Sequence, residues 1–426
     1  MKFVLPEFSS LTPEQKNLVV IDLADPERKW WGENLVVKGY GGTGKTVVAC
    51  HRALRLKKQN KRILFLCFWK VLKSFLATEK LGDVNLHLQW FYQSMRLKLE
   101  EKLKMQGKVA YQWGFFRLGL FSRMVKDYFY ITYEKDGVVI SENINGQRYY
   151  ANNQEKDFLL LFFGWYKEEV LGGDFLYDEI YIDEAQDIVP EVLASLKVLA
   201  PHFSVFADEN QRIGSNGEWS SMLDIAKIFF PNASVPEDQI EELTINMRTT
   251  KEICEYAAEY FLKEDEAVQL INQSKYCRSD PNSTPQEEII SDAIQQKEQV
   301  LTWINLTLND MSDFAVFCPE IPIVDKYYEY LVDKGFSVAK YHSKEDRRDA
   351  INLDKQVLVT TYQSSKGLEA DYVILIITKK KYDEYFSAED GAVANNILYV
   401  LATRAKKKLY ILFTFDVEWC ISLSRN

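Results

Sequence analysis

The chain lacks the residue patterns that would hold a metal cluster or cross a membrane. Its six cysteines are scattered without a CxxC pair, and the four histidines do not group with them. This scatter argues against a structural zinc or iron–sulfur site and fits reduced thiols in a cytoplasm. The longest apolar run, FLLLFFGWY at 158–166, is far too short to cross a bilayer. The opening MKFVLPEFSS has no apolar stretch of a secretion signal, so we expect a cytoplasmic protein with no membrane partner.

Basic residues are also fewer than acidic ones. The chain has 52 Lys and Arg against 62 Asp and Glu, and its net charge is −10. Such a chain binds a polyanion only through a local basic or aromatic surface, so composition alone mildly disfavours a nucleic-acid partner. A length of 426 residues with 47% hydrophobic residues predicts two or three domains with buried cores.

The first motif that is present is GYGGTGKT, between a short apolar strand and a helix predicted from Lys45 to about residue 59. Its glycines allow backbone N–H groups to face phosphates, and the start of the following helix adds a favourable partial charge. Lys45 would reach the β- and γ-phosphates of ATP, and Thr46 would ligate Mg²⁺. The motif assigns nucleotide binding to these residues: Gly39, Gly41, Gly42, Thr43, Gly44, Lys45 and Thr46.

A second motif, EIYIDEAQD at 179–187, reads as a strand that ends in two acids. Asp183 suits a ligand of Mg²⁺, and Glu184 suits the general base that orients an attacking water. Two acids could instead cap a solvated turn, but the phosphate-binding loop upstream favours the catalytic interpretation.

Five further segments surround these two motifs in a fixed order: LTPEQ, FADENQRI, LTINMR, TYQSSKGLEADYV and ILYVLATRA. Together the motifs resemble the UvrD/Rep-like branch of superfamily 1 helicases, in a compact form without that family's large accessory domain. The resemblance covers residues 11–405. It implies an α/β fold with two RecA-like P-loop motor domains, parallel sheets, and a small α+β insertion in the first domain.

The resemblance also implies roles for further residues. Gln15 would read the adenine edge, although LTPEQ is also a capping box with proline at the first helical position, and both interpretations can hold. Gln211 would sense the γ-phosphate. Arg248 and Arg404 of the second motor domain would neutralise charge on that phosphate, and Glu369 would lie near the bound nucleotide.

We therefore expect a first motor domain at 1–95 and 165–238, an insertion at 96–164, and a second motor domain at 239–426. Asp136-Gly137 predicts a hairpin within the insertion. The insertion's aromatic and basic residues suit either stacking on single-stranded bases or a small core of their own. Residues 263–285 are polar and acidic and read as a surface loop.

These motifs predict an ATP- and Mg²⁺-dependent 3′→5′ translocase or helicase on single-stranded or tailed DNA. Several positions that face nucleic acid in the family depart from its pattern: GSN at 214–216 offers no aromatic, Gln363 replaces a histidine, and Ala370 replaces an aromatic. Two alternatives therefore stay open. One is an ATP-gated regulatory subunit that senses nucleic acid and switches a partner nuclease, in DNA repair or phage defence; the other is a motor on RNA.

Overall fold

The computed structural model describes residues 5–24, 34–66, 83–85, 130–135, 138–143, 172–188, 190–208, 220–307, 313–341, 357–365, 368–386 and 392–415. Their strands are β1 (Leu35–Gly39), β2 (Ile63–Leu66), β3 (Asp83–Asn85), β4 (Tyr130–Lys135), β5 (Val138–Asn143), β6 (Glu179–Ile182), β7 (His202–Ala207), β8 (Ile240–Leu243), β9 (Ile245–Asn246), β10 (Lys275–Tyr276), β11 (Gln286–Ile289), β12 (Phe314–Cys318), β13 (Val338–Tyr341), β14 (Val357–Thr361), β15 (Ala370–Thr378) and β16 (Ala405–Thr414).

The helices described are α1 (Pro13–Ala24), α2 (Lys45–Lys58), α3 (Pro190–Leu196), α4 (Met222–Phe229), α5 (Lys251–Phe261), α6 (Glu264–Gln273), α7 (Ala293–Thr307), α8 (Ile321–Asp333), α9 (Lys379–Phe386) and α10 (Ala392–Ala402). Within the described ranges, no helix is long and apolar enough to span a membrane.

Strands and helices assemble into two six-stranded sheets, of order β3-β2-β6-β7-β1-β8 and β11-β16-β15-β12-β14-β13. Every strand pairing recorded in these two sheets is parallel. Parallel strands are joined by crossover helices and are covered on both faces, which requires nearly continuous apolar strands such as β12, whose five residues are all buried. The predicted α/β class with parallel sheets is confirmed.

Each sheet is packed on both faces because successive side chains of a strand point in opposite directions. In the first sheet, Val36 belongs to the core formed with α3 and α4, whereas Leu35 and Val37 belong to the core formed with α1 and α2. In the second sheet, Phe317 packs towards α5 and α10, and Val316 packs towards α7 and α8. Each sheet therefore has its own pair of hydrophobic cores.

The first sheet extends further along the chain than its predicted domain, which ends at residue 238. β8 pairs in parallel with β1, with Leu243 opposite Gly39. Leu243, the last residue of β8, is also the first residue of LTINMR, and β9 begins two residues later at Ile245. The pairing of β8 with β1 therefore places the start of LTINMR beside the strand that leads into the glycine-rich loop. The division of the chain into domains remains a prediction.

Two local predictions have different outcomes. β4 and β5 form an antiparallel hairpin on either side of residues 136–137, as the Asp-Gly signal predicts. The predicted surface loop at 263–285 is wrong, because residues 264–273 form α6. Two buried residues three positions apart, Ala267 and Leu270, hold this helix against the core of the second sheet. Three consecutive acids, Glu264 to Glu266, open the helix, which makes the segment read as a loop.

Candidate nucleotide-binding site

The glycine-rich loop connects the end of β1 at Gly39 to the start of α2 at Lys45. Gly42 and Gly44 have φ angles of 86° and 87°, a left-handed conformation that favours glycine. A Cβ on Gly42 would lie 2.5 Å from Asn246 Oδ1, and one on Gly44 would lie 2.3 Å from Gln15 Nε2. Both the backbone conformation and the neighbouring side chains therefore require glycine, and the predicted strand–loop–helix is confirmed.

Lys45 lies buried inside this loop. Its Nζ donates to the backbone oxygens of Gly39 (2.6 Å) and Tyr40 (3.2 Å) and lies 3.5 Å from Asp208 Oδ2. Asp208 follows β7, the neighbour of β1 in the sheet. The ammonium group is therefore held between the loop and the carboxyl end of the adjacent strand, where it can meet a phosphate cradled by the loop.

The two residues predicted to bind metal lie together. Thr46 Oγ1 donates to Asp183 Oδ2 at 2.7 Å, although the residues are 137 positions apart in the chain. Asp183 is buried, with 1% of its surface exposed. Magnesium is commonly held by one or two protein oxygens together with substrate phosphates, and this hydroxyl–carboxylate pair beside the loop fits that donor set.

Glu184 has an unusual backbone conformation, φ 59° and ψ 42°, directly after β6. A non-glycine residue in this region costs of order 1 kcal/mol and persists where the surrounding structure fixes it. Here the Glu184 backbone oxygen accepts from the Asp187 N–H at 3.0 Å, and the Glu184 side chain is held by Gln186, which is fully buried. Gln186 Nε2 donates to Glu184 Oε2 at 2.6 Å, and its Oε1 accepts from the backbone N–H of Asp208 at 3.0 Å. The amide thus connects the carboxylate of Glu184 to the end of β7.

The second half of the chain contacts the loop through LTINMR. Asn246 Nδ2 donates to the Gly41 oxygen at 3.1 Å, and the Met247 N–H donates to the Gly42 oxygen at 2.9 Å. Tyr40 lies in the core of the second sheet, and its hydroxyl donates to Gln273. The phosphate-binding loop is therefore attached directly to residues that follow the first sheet.

Arg248 and Glu369 form an ion pair, with Nε 2.7 Å from Oε2. Lys406 reaches the other oxygen of the same carboxylate at 2.8 Å. Burial alone would raise the pKa of Glu369, but Arg248 and Lys406 hold the pKa at about 2. Glu369 is therefore ionised throughout the physiological range and holds the guanidinium of Arg248, a residue whose Cβ would lie 2.9 Å from a Cβ added to the loop residue Gly42.

Arg404 is almost completely buried at the end of α10, and its Nε donates to the Val400 oxygen at 3.1 Å. Burial lowers the pKa of Arg404 to about 10, and the charge of Arg248 acts in the same direction. The carboxylates of Glu184, Glu369 and Asp208 oppose this shift. Arg404 is thus a buried cation within electrostatic range of acids from both sheets, and it stays charged near neutral pH.

The remaining predicted residues are placed as follows. Gln15 completes the predicted capping box, because its Oε1 accepts from the Thr12 N–H at 3.0 Å and its own N–H donates to Thr12 Oγ1 at 3.2 Å. Its Nε2 donates to the Thr43 oxygen at 2.8 Å. Gln15 therefore contacts the phosphate loop, while adenine recognition stays a prediction. Gln211 lies outside the described residues.

Sequence reasoning missed two positioning residues, Gln186 and Asn246. Asn246 Oδ1 accepts from the N–H groups of Arg248 and Thr249 at 3.0 and 3.1 Å, so it fixes the backbone that carries Arg248. Both residues lie within motifs described above: Gln186 in DEAQD and Asn246 in LTINMR. For Asn246 the available signal was an amide side chain between two apolar residues, Ile245 and Met247, which suits a buried hydrogen-bonding residue; Gln186, followed by Asp187, carried no such signal.

Comparison with known proteins finds a family similarity in the C-terminal part of the chain. Residues 356–412 match the UvrD-like helicase C-terminal domain family. This match spans β14 to β16 and includes Glu369, Arg404 and Lys406. No curated protein matches the chain significantly.

Two solved structures show similarity at low sequence identity. The C-terminal domain of a possible DNA helicase from Lactobacillus plantarum WCFS1 is 17% identical, with 39% of this chain and 87% of that chain covered and a TM-score of 0.28. A structure of Dbp5 from S. cerevisiae with ADP bound is 14% identical, with 97% of this chain and 92% of that chain covered and a TM-score of 0.41. Similarities this distant carry no functional inference.

Proposed function

We propose that this chain is an ATP-hydrolysing motor that moves in the 3′→5′ direction on single-stranded or tailed DNA. The observation that carries the proposal is the position of Arg404. This arginine, from the segment that matches a helicase C-terminal domain, is buried within electrostatic range of Glu184 and Asp208, which belong to the nucleotide-binding sheet.

The chemistry follows from the geometry of these side chains. Lys45 and the loop N–H groups bind the phosphates of ATP, and the Thr46–Asp183 pair would hold Mg²⁺, which would neutralise phosphate charge. Glu184, oriented by Gln186, accepts a proton from the attacking water. Arg248 and Arg404 stabilise the negative charge that develops on the transferred phosphoryl group.

Movement follows because the two groups of side chains belong to different sheets. We propose that residues 1–95 with 165–238 form one motor domain, with 96–164 as its insertion, and that 239–426 form the second. Closing on ATP brings the arginines onto the γ-phosphate, and loss of that phosphate releases them. Two domains that alternately grip a strand would step along it once per cycle.

The decisive experiment is steady-state ATP hydrolysis with no nucleic acid, with single-stranded DNA, with single-stranded RNA and with blunt duplex. We expect the largest stimulation by single-stranded DNA. Lys45→Ala should lose nucleotide binding, and Glu184→Gln should bind ATP but not turn it over. Equal stimulation by RNA would favour an RNA motor, and hydrolysis that ignores single strands would favour the regulatory subunit of a partner nuclease.

A further inference from the structure

A groove on the second half of the molecule lies beside the nucleotide site without belonging to it. It is bounded by the starts of β15 and β16 and by the segment that follows β10. Four cations and one carboxylate, Asp280, line the groove; the cations are Arg278, Lys406, Lys407 and Lys408. In a chain with a net charge of −10, this concentration of positive charge is a local exception.

A β-bulge creates this row of cations. In a regular strand, Lys407 would point to the opposite face from Lys406 and Lys408. The register between β15 and β16 shifts here: Ala370 pairs with Ala405, but Tyr372 pairs with Lys408, so β16 contains one extra residue. Bulges redirect side chains and are common next to functional sites. Here the bulge allows three consecutive lysines to line one groove.

The groove also presents an aromatic ring. Tyr372 lines it and stacks on Phe314, with ring centroids 4.8 Å apart and planes inclined by 15°. Lys407 Nζ lies 6.0 Å from the centroid of the Tyr372 ring. Cations in a row beside an immobilised aromatic ring suit a single-stranded nucleic acid, whose phosphates repeat along the strand and whose bases stack. Inorganic phosphate would use neither the row nor the ring.

The groove connects with the nucleotide site through Lys406. This lysine lines the groove and also binds Glu369, the carboxylate that holds Arg248. A phosphate bound beside Lys406 competes with Glu369 for the ammonium group. The Lys406–Glu369 contact, and with it the charge beside the Arg248–Glu369 ion pair, would therefore differ between the empty and the occupied groove.

We propose that the groove formed by Arg278, Lys406, Lys407, Lys408 and Tyr372 binds the phosphodiester backbone of a single strand and makes ATP hydrolysis respond to it. The proposal rests on the proposed motor function. It adds a strand-binding surface at the starts of β15 and β16. None of its five residues binds ATP in the scheme above.

The test compares two variants of equal charge in the full-length chain. Arg278→Ala/Lys407→Ala removes two cations from the groove. Lys297→Ala/Lys334→Ala removes two lysines that both lie over Tyr330, on α7 and at the end of α8. Both pairs lie outside the ATP-binding residues, so ATP hydrolysis without a strand should match the unmodified protein. Thermal unfolding of each variant verifies its folding.

Binding is measured by fluorescence anisotropy of labelled oligothymidylate and oligouridylate at several salt concentrations, with tripolyphosphate as a competitor. We expect the groove variant to bind oligothymidylate about ten-fold more weakly at low salt. The slope of log affinity against log salt should become shallower by about 0.7 for each phosphate that the variant no longer neutralises. Strand-stimulated hydrolysis should fall in parallel. The two oligonucleotides show whether DNA or RNA supplies the phosphates.

Three results would overturn the proposal. The groove variant could bind and respond to strands like the matched control while the unmodified protein remains strand-stimulated; the motor function would then survive without the groove. Weaker ATP binding with unchanged strand binding would make the groove an extension of the nucleotide site. No strand binding by the unmodified protein would remove both the groove proposal and the motor function.

Discussion

Gln186 illustrates how one buried amide can control a catalytic group. Its side chain connects Glu184 to the backbone of Asp208, and it is enclosed on all sides. We expect Gln186→Ala to lower ATP turnover on the order of 10²-fold through misorientation of Glu184, with little change in ATP affinity. Steady-state kinetics and nucleotide binding separate the two quantities.

The control for this prediction is a double-mutant cycle. Because Gln186 acts through Glu184, adding Gln186→Ala to Glu184→Gln should cause no further loss of turnover. Independent, multiplicative losses would mean that Gln186 acts by another route.

Arg404 should matter for turnover more than for binding. Replacing a transition-state arginine typically costs roughly 10³-fold or more, so we expect Arg404→Ala to retain ATP binding and lose turnover by that factor. Arg404→Lys keeps a positive charge in the same buried position but loses the planar fork, and it should recover only part of the activity. Near-normal turnover of a folded Arg404→Ala protein would exclude Arg404 from the site.

The Arg248–Glu369–Lys406 cluster predicts a dependence of stability on acid. The pKa of Glu369 is about 2, below its ordinary value of 4.5, so its ionised form is stabilised by folding. That contribution is fully present above pH 4.5 and is lost as the pH falls towards 2. The difference in Tm between the unmodified protein and Glu369→Gln should be constant from pH 8 to about pH 5 and then shrink. A difference that keeps its full size down to pH 3 would contradict the assigned ion pairs.

At the scale of elements, the phosphate loop is fixed between its own sheet and β9. Gly42 has a left-handed backbone, and a Cβ added there would lie 2.5 Å from Asn246 Oδ1 and 2.9 Å from Arg248 Cβ. We expect Gly42→Ala to lower both Tm and ATP affinity, because the added methyl group must displace the Asn246 side chain. Differential scanning fluorimetry with and without ATP measures both effects.

Gly335 supplies a matched control for that substitution. Its φ is 87°, and a Cβ there would meet nothing within 4 Å. Gly335→Ala therefore carries only the backbone cost of about 1–2 kcal/mol and should leave ATP affinity unchanged. If the two alanine variants behaved alike, contact between the loop and β9 would be unimportant for binding.

For the whole molecule, we predict translocation on single strands with poor strand separation. Only residues 342–356 connect β13 to β14, where the family resemblance would place a large accessory domain. A segment of that length cannot bury a core of its own, and opening a base pair costs on the order of 1–2 kcal/mol of stacking. We expect ATP-driven displacement of a protein block from single-stranded DNA, together with short-range unwinding of tailed duplex.

A strand-displacement assay with tailed duplexes of increasing length measures this limit. Addition of a partner that holds duplex should extend the unwound length, whereas Glu184→Gln should abolish all displacement. Efficient separation of long duplexes by the purified protein alone would contradict the prediction.

The sequence by itself determined the local parts of this protein. A glycine-rich loop between a strand and a helix, and an apolar strand followed by two acids, depend on neighbouring residues, so their patterns were sufficient. The two parallel sheets were predicted from the family resemblance that the ordered motifs carry. Prediction failed where the local signal was weak. Helix α6 has only two buried residues, Ala267 and Leu270, after three consecutive acids, and its sequence therefore reads as a loop.

Only the tertiary structure decided how these parts meet. Gly41 and Asn246 are 205 positions apart, and Lys45 and Asp208 are 163 positions apart, so no local pattern connects them. The placement of β8 beside β1 depends on sheet pairing, and the row of lysines in the groove depends on a bulge set by the register of β15 against β16. Residue types in short motifs specify which chemical groups are available. Packing and strand pairing between distant segments specify which of those groups lie close enough to act together.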